Sequence, residues 1–172
     1  MSPSYEISRT IADGTPIHIR AIRPSDKANL SAGLSALSEV SRQRRFLSPK
    51  PGFTSAELRY LTEVDGLDHV ALVAMTAARR GVGVARYVRL AEDPSTAEVA
   101  IAVADELQGR GLGSLLADEL VHIASANGIQ RFSADMLSDN IPAQRLMAHL
   151  ARRLKRHHDG AGHLAVLASL AA

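Results

Sequence analysis

The stretch that most constrains the fold of this chain is LQGRGLGSLLADEL, residues 107–120. Its first half carries glycines at positions 109, 111 and 113, which the interior of a stable helix disfavours. Its second half has leucines spaced as on one face of a helix. Glycines at the start of a helix let a ligand approach the backbone closely, and a helix N-terminus favours an anion. The stretch therefore predicts a loop that enters a helix and binds an anionic group.

Length and composition narrow the class of protein. A chain of 172 residues suits one domain, predicted to span residues 1–172, and no apolar run approaches the roughly 18 residues of a membrane span. The opening residues contain no apolar segment of the kind found in secretory signals. Cysteine is absent, which excludes disulfides, zinc–thiolate sites and a cysteine nucleophile. We therefore expect a soluble, cytoplasmic protein without a membrane partner.

The charge pattern favours a small anionic ligand over a nucleic acid. The formal net charge is only +2, which steers polyanions weakly, and the 3% aromatic content offers few stacking surfaces for single strands. The basic segment RRLKRHHD, residues 152–159, lacks interleaved aromatics. We interpret it as the end of a helix leading into a strand, and we expect no nucleic-acid partner.

Hydrophobic spacing predicts a mixed α/β order of elements. Strands are predicted at 15–23, at 69–77 and 82–90 as an antiparallel hairpin, at 96–104, at 130–137, and after a turn near the C-terminus. Helices are predicted at 24–37, 39–47, 55–64, 111–127 and 142–155.

Three phosphate-binding schemes compete for QGRGLGS, residues 108–114. A Walker A loop requires a lysine directly before Ser114, where Gly113 stands, and the glycines follow G-x-G-x-G instead of the dinucleotide pattern G-x-G-x-x-G. The third scheme is Q-x-x-G-x-G at a strand-to-helix junction, formed by Gln108, Gly111 and Gly113. Backbone N–H groups and the helix dipole would then hold a pyrophosphate. A glycine-rich turn without a ligand remains the alternative.

This motif and its setting resemble the Gcn5-related N-acetyltransferase (GNAT) family, which has [Q/R]-x-x-G-x-[G/A] here to hold the pyrophosphate of coenzyme A. The flanking strand, helix, strand and DNIPAQRLM helix follow the family's order, and the resemblance extends from about Ile17 to Leu170. It implies an α/β (α+β) fold with a mixed, mostly antiparallel central sheet flanked by helices. The segments DGTPIHIRAIRPSD, SRQRRFLSPKP and LTEVDGLDHVALVAM resemble bacterial protein-lysine acetyltransferase domains within that family.

The resemblance implies a set of residues that bind acetyl-coenzyme A. Val103, at the end of its strand, would offer backbone groups to the pantetheine arm, with Ala102 and Ala104 beside it. Asn140 and Ala143 would lie near the pantetheine and acetyl end, although Asn140 also suits a helix N-cap. Arg110 is either part of the phosphate site or a solvated loop residue. The residues implied to surround the phosphates are Gln108, Gly109, Arg110, Gly111, Leu112, Gly113 and Ser114.

Glu98 is the predicted general base. In AEVAIAVA, residues 97–104, it is the only charge on a strand face of small alanines, where partial desolvation would raise its pKa. An amine acceptor must lose a proton before it attacks a thioester, and in the resembled family a glutamate on this strand often accepts it. The alternative is a structural glutamate paired with Arg86 or Arg89.

The general acid is not evident from the sequence. Many family members have a tyrosine that protonates the leaving thiolate at the position of Met147. Tyr60 and Tyr87 are the remaining candidates, although both are more typical of packing residues. Water would otherwise supply the proton, or the thiolate would leave unaided.

The acceptor side of the site is predicted near SRQRRFL, residues 41–47. Arg42, Arg44 and Arg45 would either recognise an acidic acceptor or form a solvated helix face. A protein lysine would need an open groove, whereas a small acidic acceptor would need Arg42 or Arg45 turned into a closed pocket. A cluster of histidines near the C-terminus is not expected to bind a metal, because adjacent histidines on a strand point to opposite faces; these residues are His157, His158, Asp159 and His163.

The sequence therefore predicts an acetyl-CoA-dependent N-acetyltransferase without a metal. Its acceptor would be a protein lysine or a small amine, attacked directly without a covalent enzyme intermediate. Since GNAT proteins are often dimers, the resemblance also makes a homodimer an expectation. The alternative from another class is a non-catalytic sensor module that binds acyl-CoA.

Overall fold

The computed structural model describes residues 5–170. The strands are β1 Glu6–Thr10, β2 Pro16–Ala21, β3 His69–Met75, β4 Gly81–Arg89, β5 Thr96–Val103, β6 Arg131–Leu137, β7 Ala151–His158 and β8 His163–Leu170. The helices are α1 Lys27–Ala36, α2 Glu39–Phe46, α3 Ser55–Thr62, α4 Leu112–Ala126 and α5 Ile141–Leu150. Short 3-10 turns at Pro24–Asp26 and Asp105–Leu107 precede α1 and the loop before α4.

All the described strands form one eight-stranded sheet in the order β1-β2-β3-β4-β5-β6-β8-β7. Every neighbouring pair is antiparallel except β5 and β6, which are parallel. This parallel pairing joins only Thr96–Glu98 to Arg131–Ser133. Beyond Glu98, β5 stays paired with β4 and β6 stays paired with β8. A gap therefore opens between the two strands toward their C-terminal ends.

Helices cover both faces of the sheet. Helices α4 and α5 pack on one face, and α1 and α2 contact β4 and β5 from the other. The alternation of side chains along β4 separates these faces, because Gly83 and Tyr87 face the core under α4 while Arg86 faces α1. A Cβ on Gly83 would lie 2.8 Å from the Leu116 Cδ1 atom, so this glycine is what lets α4 sit close to the sheet.

The predicted fold class is confirmed, one predicted helix is corrected, and one strand was missed. The helix predicted at 142–155 ends at Leu150, and residues 151–158 form strand β7. The segment RRLKRHHD is therefore mostly an edge strand paired with β8 and not the end of a helix. Strand β1 was not predicted. Its pattern is almost wholly exposed, so it lacks the alternation that identifies a strand.

None of the helices in residues 5–170 has the length and apolar character needed to cross a membrane.

Candidate functional site

The loop that enters α4 has the geometry of an anion-binding site. Gly109 and Gly111 have φ values of 73° and 88°, a left-handed conformation that costs other residues about 1–2 kcal/mol. Gly111 is the N-cap of α4, and this helix has no side-chain cap, whereas α2 and α5 are capped by Ser38 and Asn140. The first N–H groups of α4, which as in any α-helix have no intrahelical partner, therefore also lack a capping side chain and are available to an anion.

A cleft of about 570 Å³ lies at this helix start. It brings together the C-terminal end of β5, the glycine loop, and the facing sides of α2 and α5. The predicted residues that line it are Ala102, Val103, Gln108, Gly109, Gly111, Gly113, Ser114, Asn140 and Ala143.

Several residues that line the cleft were not predicted from the sequence, and one was predicted only on the acceptor side of the site. On α5, Pro142, Arg145, Leu146 and His149 line the cleft. Their spacing of three, four and seven residues places them on one helix face, and this signal was present in the sequence. On α2, Arg44 and Ser41 line the same cleft, so Arg44 lies beside the glycine loop and not only on the acceptor side.

Arg110, Leu112 and Ala104 do not line the cleft, in contrast to the prediction. Arg110 Nη1 donates to Asp13 Oδ2 at 2.7 Å, and the Arg110 carbonyl accepts from the Ala12 N–H. These contacts tie the loop to the β1–β2 turn. The hydrogen bond from Arg110, followed by those from Thr15, lowers the pKa of Asp13 to about 2. The Leu112 side chain is fully buried in the core, and Ala104 lines a second cavity.

Asp105 connects the glycine loop to α2. Its carboxylate accepts hydrogen bonds from the Ser38 N–H at 2.7 Å, from the Ser38 and Ser41 hydroxyls, and from the Gln108 amide at 3.2 Å. These bonds, that of Ser41 first, lower the pKa of Asp105. Gln108 Nε2 also donates to the Val103 carbonyl at 3.1 Å. Gln108 therefore fixes the loop to the end of β5.

Asn140 fits both interpretations drawn from the sequence. Its Oδ1 accepts a hydrogen bond from the Ala143 N–H at 3.3 Å, so it caps α5. It is 7% exposed and lines the cleft. The cap therefore lies within the site and not on the outer surface of the helix.

Glu98 lies where the β5–β6 ladder ends, paired with Val88 on one side and Ser133 on the other. The residue is exposed, so the partial desolvation predicted from its alanine-rich strand face is not observed. The alternative role of Glu98, a structural ion pair with Arg86 or Arg89, is not observed either, because no such pair forms among residues 5–170. Arg89 Nε pairs instead with Asp68 at 2.6 Å. Burial lowers the pKa of Arg45, and the negative charge of Glu98 opposes this shift.

The side chains considered as general acids lie away from the cleft. Met147 is buried in the core, and so is Tyr87, whose hydroxyl donates to the Leu67 carbonyl at 3.0 Å and accepts from Asn127 Nδ2 at 2.7 Å. Tyr60 is 57% exposed, with its ring 4.8 Å from the His69 ring. Tyr87 is therefore a packing residue, as its sequence context indicated.

A second cavity of about 110 Å³ lies between the sheet and helices α1–α3. Its walls are mostly apolar, and Arg45 and Arg86 also line it. It meets the cleft at residues common to both, which are Leu37, Arg45, Ala102 and Val103. The two spaces therefore adjoin at the end of β5.

The described residues contain no group of three or more metal-ligating side chains that could hold an ion. Of the C-terminal histidines, His163 Nδ1 contacts Asp159 Oδ2 at 3.1 Å across the β7–β8 turn.

Comparison with known proteins identifies the family. The family model described as Acetyltransferase (GNAT) family matches residues 41–152. Acetyltransferase Pat of Mycolicibacterium smegmatis is 37% identical over 142 residues, which are 81% of this chain and 42% of that protein. Acetyltransferase PA5475 of Pseudomonas aeruginosa is 32% identical over 130 residues, which are 73% of this chain and 69% of that protein.

A solved structure supports the same assignment. The GNAT domain of Streptomyces lividans PAT superposes with a TM-score of 0.88 at 26% identity, covering 99% of this chain and all of that domain. The chain belongs to the GNAT family of acetyltransferases, as its motifs predicted. It resembles bacterial Pat domains in particular, and it spans less than half of the M. smegmatis relative.

Proposed function

We propose that this domain transfers an acetyl group from acetyl-CoA to an amine, either a protein lysine side chain or a small amine. The observation that supports this most is the cleft where the uncapped start of α4 meets the separated end of β5. The helix start suits a pyrophosphate, and the β5 backbone that has lost its β6 partner suits the amide groups of a pantetheine arm.

In this proposal the glycine loop holds the phosphates and α5 borders the arm. The loop residues are Gln108, Gly109, Gly111, Gly113 and Ser114, and the α5 residues are Asn140 and Ala143. Arg44 and Arg145 line the same cleft and add positive charge toward the phosphates. Arg110 acts indirectly, because its side chain anchors the loop through Asp13.

Glu98 is the proposed general base. It lies four residues before Ala102 on the same strand, a separation of roughly 13 Å at about 3.3 Å per residue. We therefore propose that the proton of the acceptor ammonium reaches Glu98 through water. The amine nitrogen then attacks the acetyl carbon. The carbon–nitrogen bond forms, the carbon–sulfur bond breaks, and the coenzyme A thiolate leaves. The second proton, which the nitrogen loses on becoming an amide, reaches this thiolate through water.

The first test is calorimetric titration with acetyl-CoA, followed by thiol release in the same sample with a panel of amines and a lysine peptide. We expect binding and release from at least one acceptor. A protein that does not bind acetyl-CoA would contradict the assignment of the glycine loop. Binding without release from any acceptor would favour the sensor module over the enzyme.

The second test separates the base from the binding site. Glu98→Gln should lower thiol release by about 10²- to 10⁴-fold, the usual contribution of a general base, and should leave the acetyl-CoA affinity unchanged. Glu92→Gln is the matched control, because Glu92 is exposed in the turn before β5 and lies outside both cavities. If Glu98→Gln keeps the full rate of release, Glu98 is not the base.

A further inference from the structure

We propose, building on the proposed N-acetyltransferase function, that the second cavity is the acceptor site and selects a small apolar amine that also carries a carboxylate. Arg45 and Arg86 would bind this carboxylate. The site would therefore favour an amino acid over a lysine on a protein surface.

The first argument is that these two guanidinium groups have no acidic partner within ion-pair distance among residues 5–170. Arg86 is 6% exposed, and its guanidinium meets only neutral groups, the Leu61 carbonyl at 3.2 Å and His69 Nε2 at 3.1 Å. The Arg45 Cζ atom lies 4.9 Å from the centroid of the Phe46 ring. A buried cation without a counterion is costly, and a bound anion would offset that cost.

The second argument is that the charges of these arginines act on each other and on their neighbour. Burial and the charge of Arg45 lower the pKa of Arg86 to about 10. Burial and the charge of Arg86 lower the pKa of His69 to about 4, so this imidazole is neutral near pH 7 and adds no further positive charge beside Arg86. A carboxylate between Arg45 and Arg86 would relieve their mutual repulsion.

The other charged side chains along the cavity already have partners. Asp26 accepts two hydrogen bonds from Arg20, at 2.7 and 2.8 Å. Arg80 Nη1 pairs with Glu106 Oε1 at 2.6 Å. Of the charged side chains that line the cavity, Arg45 and Arg86 are therefore the two that form no ion pair among residues 5–170, and the charge of Glu98 acts on Arg45 only from beyond ion-pair distance.

The third argument is distance. Arg86 lies opposite Ala100 in the β4–β5 register, two residues before Ala102, where the cavity meets the cleft. Two strand residues span about 7 Å. The Arg86 guanidinium is held on the His69 and Leu61 side of the cavity, whereas Arg45 lines both the cavity and the cleft at this junction. A carboxylate bound by Arg45 would therefore lie close to the end of β5, which suits a molecule whose amine and carboxylate are close together.

The last argument concerns the walls. The apolar lining between α1, α3 and the sheet suits a hydrocarbon side chain, and it includes Leu30, Leu34, Phe53, Leu61 and Val84. A lysine presented by a protein would need an open groove. Arg45 lines both this cavity and the cleft, so its charge is available to a small acidic acceptor at their junction.

The test compares matched acceptors that differ only in the carboxylate. Leucine and phenylalanine are assayed against leucinamide and phenylalaninamide, together with a lysine peptide that has neutral neighbours, and kcat/KM is measured by thiol release from acetyl-CoA. We expect the acids to exceed their amides by about 10- to 100-fold, the range of charge-assisted hydrogen bonds.

Variants assign this preference to the two arginines. Arg45→Gln and Arg86→Gln should each reduce the acid-to-amide ratio, and the corresponding lysine variants should retain part of it. Arg59→Gln, on the exposed side of α3, is the control and should leave the ratio unchanged. Because both rates come from one sample, partial unfolding of a variant cancels in the ratio.

Three outcomes would contradict the inference: equal rates for acids and amides, a preference for the lysine peptide over every amino acid, or a ratio that neither glutamine variant changes. Release of thiol to neutral amines without a preference for acids would overturn this inference alone. Failure to release thiol to any acceptor would contradict the proposed function itself.

Discussion

Gly111 and Gly128 lie at opposite ends of α4 and share a backbone conformation, with φ values of 88° and 81°. A Cβ at either position would meet no atom within 4 Å, so alanine would cost conformational energy of about 1–2 kcal/mol at both. Of these two glycines, Gly111 lines the cleft and Gly128 does not. We therefore expect Gly111→Ala to lower both the free energy of unfolding and the acetyl-CoA affinity, and Gly128→Ala to lower the free energy of unfolding alone.

Urea unfolding and calorimetric titration of the two variants measure these quantities. If both variants bind acetyl-CoA as tightly as the unchanged protein, the loop at 109–114 does not hold the coenzyme.

Single residues also show how far the candidate site could be predicted. The glycine spacing and Asn140 could be read from the sequence, because their geometry depends on their immediate neighbours. The orientation of Arg45 could not, because it depends on how α2 packs against β5. Arg110 was predicted to lie in the phosphate site or to be a solvated loop residue. Its ion pair with Asp13 could not be predicted, because Asp13 lies 97 residues away in the sequence.

At the scale of elements, helix α5 allows the two roles proposed for Asn140 to be separated. Asn140→Ala removes the cap and should cost about 1 kcal/mol of stability, whereas Asn140→Asp keeps a good N-cap. If Asn140 also contacts acetyl-CoA through its amide, Asn140→Asp should preserve stability and weaken binding. Thermal unfolding and titration of both variants test this, and full affinity in Asn140→Asp would assign Asn140 to the cap alone.

Elements also differed in how well the sequence predicted them. The β3–β4 hairpin and α4 have strong internal patterns and were predicted close to their observed bounds. Strand β7 has no turn signal before it, since α5 ends at Leu150 and its C-cap, Ala151, is not a glycine. The arginines and the lysine of β7 suit a helix equally well. It is a strand because β8 pairs along its whole length, a tertiary contact that a local pattern does not contain.

At the scale of the whole molecule, binding of acetyl-CoA should stabilise the folded protein. At a free concentration of about 100 times Kd, linkage adds about 2.7 kcal/mol. For a domain of this size that raises Tm by roughly 5–10 °C. Acetyl-pantetheine, which lacks the pyrophosphate, should raise Tm less at the same concentration. Equal shifts from both compounds in a thermal unfolding experiment would contradict phosphate binding by the loop.

The short parallel ladder between β5 and β6 has a mechanical consequence. Two groups of strands, β1–β5 and β6–β8–β7, are each held together by antiparallel ladders of four to seven residue pairs. Within the sheet these groups are joined only by the three pairs between Thr96–Glu98 and Arg131–Ser133. Bending of the sheet at these three pairs changes the width of the gap beside Val103 and breaks no strand pairing within either group. We therefore expect the width of the cleft, more than the shape of either strand group, to change when the cleft is occupied.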